Sequence, residues 1–163
     1  MTTTYTEADF DQISWHDCHV HALGFLIGDV DVEDWTRDLA LDIDFILEWL
    51  WQSDSSARFL VAPAYLTFHG VTDPKIMIDW GHSGFQNSIH EVSIDHIARE
   101  RIIDQKVHLD RPYYEWQIVM NRPQPGEIRF GAVGFTQTLR MDPIVSRRQW
   151  LSPEERYPGG QRK

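Results

Sequence analysis

The stretch Leu39-Ala40-Leu41-Asp42-Ile43-Asp44-Phe45 constrains this chain more than any other. Its large apolar residues recur at every second position, with aspartates between them. A helix would scatter those four side chains around its axis, whereas a strand sets them all on one face. Upstream, Leu23, Phe25 and Ile27 alternate in the same way, and Gly28 opens the acidic loop Asp29-Val30-Asp31-Val32-Glu33-Asp34. Residues 15–27 and 38–47 are therefore predicted to be paired strands. If Leu23, Phe25 and Ile27 share a core with Leu41 and Ile43, then His19 and His21 lie on the core side. Asp42 and Asp44 then lie on the other.

The rest of the chain continues in this manner. Residues 59–68 and 75–80 read as a second hairpin, with Leu66 and Phe68 on the same face as Ile76 and Ile78. Pro63 cannot donate to a ladder and is expected at a bulge or an edge. Residues 89–103 carry both helical and strand spacing, and strand is favoured. Residues 113–120 and 128–139 form a last pair around a Pro/Gly-rich turn, and Gly131 and Gly134 predict a bend or a close approach. The fold expected is all-β, a mainly antiparallel meander of about seven strands closing as a sandwich or flattened barrel. Residues 1–143 are expected to form one β domain, and 144–163 an irregular basic tail.

A chain of 163 residues can bury a core without staples, and a 12% aromatic content with seven tryptophans argues against disorder. The one cysteine cannot form an internal disulfide, which fits a reducing cytoplasm. The first residues lack a basic region followed by an apolar run, so no secretory signal is expected. No apolar run reaches the ~20 residues of a membrane helix.

Charge is uneven. Residues 1–60 hold 13 Asp/Glu against Arg37 and Arg58, a balance of −11, while the remainder carries +1. Such an acidic third repels nucleic-acid phosphates and steers a basic protein partner toward it. From Arg140 onward, five arginines and Lys163 outnumber three acids, a balance of +3. That tail is expected to dock on the acidic third, within one chain or across a homodimer.

Chemistry-bearing residues are densest in Trp15-His16-Asp17-Cys18-His19-Val20-His21. On a strand, Asp17, His19 and His21 share a face and form a facial set suited to one divalent metal such as zinc. The simpler account is strand histidines satisfied by neighbouring polar groups. His16 and Cys18 share the opposite face at ~7 Å, too far for a nucleophile–base pair, so Cys18 reads as a small buried hydrophobe. Trp49 and Trp51, following the aspartate strand, are the aromatic residues best placed to anchor a partner. No phosphate loop, nucleophile elbow, H-E-x-x-H or paired C-x-x-C occurs.

Four segments form a distinctive set: Ser14-Trp15-His16-Asp17, Leu41-Asp42-Ile43-Asp44-Phe45-Ile46, Val61-Ala62-Pro63-Ala64-x-Leu66-Thr67-Phe68 and Gly131-Ala132-Val133-Gly134-Phe135-Thr136-Gln137. Through them the chain resembles a group of small, largely uncharacterised bacterial all-β proteins, over most of residues 12–140. The resemblance implies a fold and no activity. The expectation for function is a bacterial, cytoplasmic binding protein without catalysis or cofactor. An immunity-like role would offer Asp42, Asp44, Trp49 and Trp51 to a basic protein partner. The alternative is a metal-dependent hydrolase or oxygenase built on Asp17, His19 and His21.

Overall fold

The structure, a computed structural model, describes residues 3–81, 88–104 and 110–159. Among the described residues, ten strands form one antiparallel sheet that does not close into a barrel. In chain order they are β1 (Thr4–Thr6), β2 (His19–Ile27), β3 (Arg37–Trp51), β4 (Ala57–His69), β5 (Thr72–Ile78), β6 (Val92–Arg101), β7 (Tyr114–Arg122), β8 (Gly126–Ala132), β9 (Gly134–Leu139) and β10 (Ile144–Ser146). One helical turn, α1, covers Pro153–Arg156. The order across the sheet is β1-β9-β4-β3-β2-β6-β7-β8-β5, and β10 also pairs with β4. No helix among the described residues is long and apolar enough to cross a membrane.

The sheet folds over on itself. Between β4 and β7 lie three other strands, which would separate them by ~19 Å in a flat sheet. Yet Phe68 on β4 meets Trp116 on β7 at 5.1 Å and Phe130 on β8 at 4.8 Å between ring centroids. The fold-over occurs near the β2–β6 junction, where only His19↔Ser93 and Val20↔Val92 join the two halves. Phe135 on β9 and Phe10, from the 3-10 turn Glu7–Gln12, complete the aromatic layer against Trp116. Phe68, Trp116, Phe130 and Phe135 are almost wholly inaccessible. Each contributes roughly 1.5–3 kcal/mol through apolar burial. Trp15 joins them, its indole N–H donating to the buried Gln137 amide oxygen at 2.7 Å.

The core expected from alternation is present at Leu41, Ile43, Phe45, Leu66 and Phe68, and Trp116, Ile118, Phe130 and Phe135 of the last strands are buried with them. Ile76 and Ile78 depart from it, the first 44% exposed and the second half-buried. The reason is topological. β4 pairs with β3, β9 and β10, whereas β5 pairs with β8 at the far edge of the sheet. Gly70, at φ +63°, breaks the predicted 59–80 hairpin by turning the chain out of the sheet. An edge strand also tolerates Pro74.

Three further differences have local causes. The expected strand over 128–139 is two strands, split at Val133, and β1 and β10 raise the count further. Side chains, not backbone, make the close approaches at its glycines. The Tyr113 hydroxyl fills the space a β-carbon at Gly131 would need, and the Glu7 carboxylate does so at Gly134. Pro63 sits in a central strand rather than at an edge or bulge. β9 neighbours β4 from Ala64 onward and β10 up to Val61, so Pro63 lies at the changeover, where its carbonyl accepts from Arg140 N–H.

The segment after residue 143 is not irregular throughout, since β10 and α1 lie within it. Ser152 caps α1, with Pro153 at its first position. β10 pairs with β4, and Trp150 to Arg156 lie on the outer face of β2 and β3 in the same chain. Arg162 and Lys163, counted in its charge, lie outside the described residues.

Candidate functional site

A cleft of ≈ 970 Å³ lies between the start of β3, the end of β4, β9 and the loop after β6. Its polar wall follows from strand register. Leu39 pairs with Phe68 and both point inward, so one rung further Asp38 and His69 both point outward. On the other side of β4, Thr67 pairs with Thr136, which makes Thr136 the diagonal neighbour of His69 on that same outward face.

These three side chains form a continuous chain of hydrogen bonds. His69 Nδ1 lies 2.9 Å from Asp38 Oδ2, and His69 Nε2 lies 2.9 Å from Thr136 Oγ1. The Gly70 N–H donates to Asp38 Oδ1 at 3.1 Å, so both carboxylate oxygens are engaged. A carboxylate can only accept here, so Nδ1 carries the imidazole proton. In the neutral imidazole Nε2 is then bare and accepts the Thr136 hydroxyl proton. The imidazole remains one-third exposed and open to the cleft.

Around this wall stand Trp35, Ile102, Tyr113 and Val133, with Arg111 among them. Tyr113 is held by a hydrogen bond to the Thr72 hydroxyl. Arg111 makes no ion pair with any described residue. Arg37, Asp73 and Asp104 also line it, so apolar surface and charged groups of both signs meet in one concavity of the size small-molecule sites have.

The residues singled out in the sequence lie elsewhere. A β-bulge at His21 shifts the pairing of β2 on β3, so Val20 faces Ile43 and Ala22 faces Asp42. Cys18 and Val20 point inward before the bulge, and Leu23 points toward the core after it. His19 and His21 therefore share the outer face with Asp44, contrary to expectation. Their rings are 4.6 Å apart, and His21 Nε2 is 2.8 Å from Asp44 Oδ2.

Asp17 does not join them. Its backbone is left-handed at φ 61°, and its carboxylate accepts from the amides of Asn121 and Gln149. Among the described residues, no three His, Cys, Asp or Glu side chains gather as a metal-holding group. The Asp17, His19 and His21 set is thus not assembled.

Asp42 and Asp44 are occupied by the chain itself. Arg156 from α1 pairs with both, Arg140 pairs with Asp42 at 3.3 Å, and Leu151 N–H donates to Asp44 at 2.8 Å. Trp150 covers His19 at 6.1 Å. Burial alone would raise the Asp44 pKa, but the hydrogen bonds from His21 and Leu151 and the Arg156 charge outweigh it and hold the group below the ordinary carboxylate value. Burial, then the neighbouring His21, lowers the His19 pKa. Cys18 is wholly buried, and that burial pushes its thiol up to about 12. Trp49 and Trp51 stand side by side at 6.1 Å on the β3–β4 hairpin, with Trp49 resting on Phe59 at 4.9 Å. Trp51 is 69% exposed.

No family model, no curated protein and no solved structure matches this chain. Function is therefore argued from geometry. Asp38, His69 and Thr136 were missed because β4 was paired with β5. Pairing residues 39–46 with 61–68 in the Leu39↔Phe68 register places Asp38 opposite His69, and that pairing is the available signal.

Proposed function

We propose that this chain is a binding protein and that its ligand is a small, largely apolar molecule with one hydrogen-bonding group. The observation that carries this reading is the ≈ 970 Å³ cleft, in which the side chains of Trp35, Ile102, Tyr113 and Val133 share the lining with the His69–Thr136 pair. Trp35, Ile102 and Val133 would remove apolar ligand surface from water, while His69 and Thr136 would fix orientation. The surface open to a basic protein partner is the exposed Asp29, Asp31, Glu33 and Asp34 rather than Asp42 and Asp44, which already have internal cations. The lone buried cysteine suits a reducing compartment such as the cytoplasm.

A ligand-observed NMR screen of small aromatic and aliphatic amides and esters tests the reading. Hits are expected to lose binding in the double variant Trp35→Ala/Val133→Asp. Equal binding by that variant, or no hits at millimolar concentrations, contradicts it.

A further inference from the structure

We propose that the cleft is an acyl-transfer site in which Thr136 is the nucleophile, taking the acyl group of short-chain activated carboxylic esters. The inference rests on the binding reading above and adds a reaction to it. Three roles of such a site are filled by groups already in contact. Thr136 Oγ1 is the acceptor, His69 Nε2 at 2.9 Å is the base, and Asp38 is the positioning residue at 2.9 Å from Nδ1. The Gly70 N–H clamp on the other Asp38 oxygen keeps the carboxylate from turning away. A satisfied structural histidine needs one partner and a buried place. His69 has two partners in line and stays open to a cleft of ≈ 970 Å³.

The step balances without any further reagent than water. The Thr136 Oγ1 lone pair attacks the ester carbonyl carbon as His69 Nε2 takes the hydroxyl proton. The tetrahedral intermediate collapses, the bond to the leaving alcohol or phenol oxygen breaks, and His69 returns the proton to that oxygen. Water, deprotonated by His69, then releases the carboxylic acid and restores the Thr136 hydroxyl. Nothing is oxidised or reduced. The backbone N–H groups of Gly70, Val71 and Val133 are committed to Asp38, Arg37 and His69. The charge on the intermediate therefore falls to Arg111, because Arg37, the other guanidinium lining the cleft, already donates to the carbonyls of Gly28 and Thr36.

The experiment uses 4-nitrophenyl butyrate as substrate and N-(4-nitrophenyl)butanamide as a ligand too stable to be cleaved. The expected result is nitrophenolate release by the native chain, with a butyryl group mapped by mass spectrometry to the Thr136 peptide. Thr136→Val and His69→Gln should each lower release by about 100-fold or more, while Thr136→Ser retains it. Anilide affinity should change less than about tenfold in these variants, the scale of one neutral hydrogen bond. Asp38→Asn should lower kcat with KM little changed, because an Asn amide favours the opposite imidazole tautomer. Thermal unfolding confirms that each variant is folded, and Thr136→Ser against His69→Gln decides the matter should the valine variant not fold. Release by Thr136→Val equal to the native rate, or butyrylation only at other residues, overturns the proposal. Anilide binding with no ester cleavage overturns the chemistry and leaves the binding reading standing. No binding of either probe defeats both.

Discussion

Arg156 and Asp44, separated by 112 residues, form an ion pair from which water is excluded, with side chains 3% and 0% exposed. The pair fixes the C-terminal segment on the outer face of β3, and Asp42 shares the same guanidinium. Arg156→Met should cost roughly 3–5 kcal/mol, because it strands a buried carboxylate. The double variant Arg156→Met/Asp44→Asn should recover part of that loss. Urea unfolding measures both. A single-variant cost below about 1 kcal/mol, as for a surface pair, contradicts the geometry.

Acid should weaken the fold in two stages. The His19 pKa is lowered from 6.5, so the unfolded chain takes that proton first and stability declines as pH falls below 6.5 toward the folded value. The Asp44 pKa is lowered from 3.8, so its contribution is full above 3.8 and is lost as pH falls through the lower folded value. Urea midpoints across pH should show both declines, and His19→Gln should flatten the first. An unchanged first decline in that variant assigns it to another group.

Much of the fold was legible because period two survives wherever a strand has one buried face, as in Leu39 to Phe45. What was hidden was phase. One extra residue at His21 moved both histidines to the outer face, and a second bulge between Ile46 and Glu48 moved the rest of β3. A bulge leaves no mark in composition. The cleft was hidden for another reason. His69 meets Asp38 across 31 residues and Thr136 across 67, so no local spacing betrays them, and only correct strand pairing brings them together.

The β3–β4 hairpin allows a contrast. Trp51 is 69% exposed, whereas Phe59 beneath Trp49 is 8% exposed. Trp51→Ala should change stability by less than about 0.5 kcal/mol, as at an open surface site. Phe59→Ala should cost roughly 3–5 kcal/mol. Equal costs would mean that Trp51 is covered in solution, as by a second copy of the chain.

Cys18 should be chemically silent in the folded state. Its thiol is buried and its pKa is pushed up to about 12, so almost no thiolate exists near neutral pH. Labelling by a thiol-specific disulfide reagent should therefore follow the unfolding rate as urea rises. Rapid stoichiometric labelling of the native protein contradicts the burial of Cys18.

The most direct measurement is the long-range ¹H–¹⁵N spectrum of the histidine rings, recorded with and without N-(4-nitrophenyl)butanamide. The Asp38 and Thr136 contacts predict that His69 carries its proton on Nδ1, and that its bare Nε2 shifts on ligand binding while His96 stays unmoved. A His69 protonated on Nε2, or one unmoved at saturating ligand, contradicts the account of this cleft.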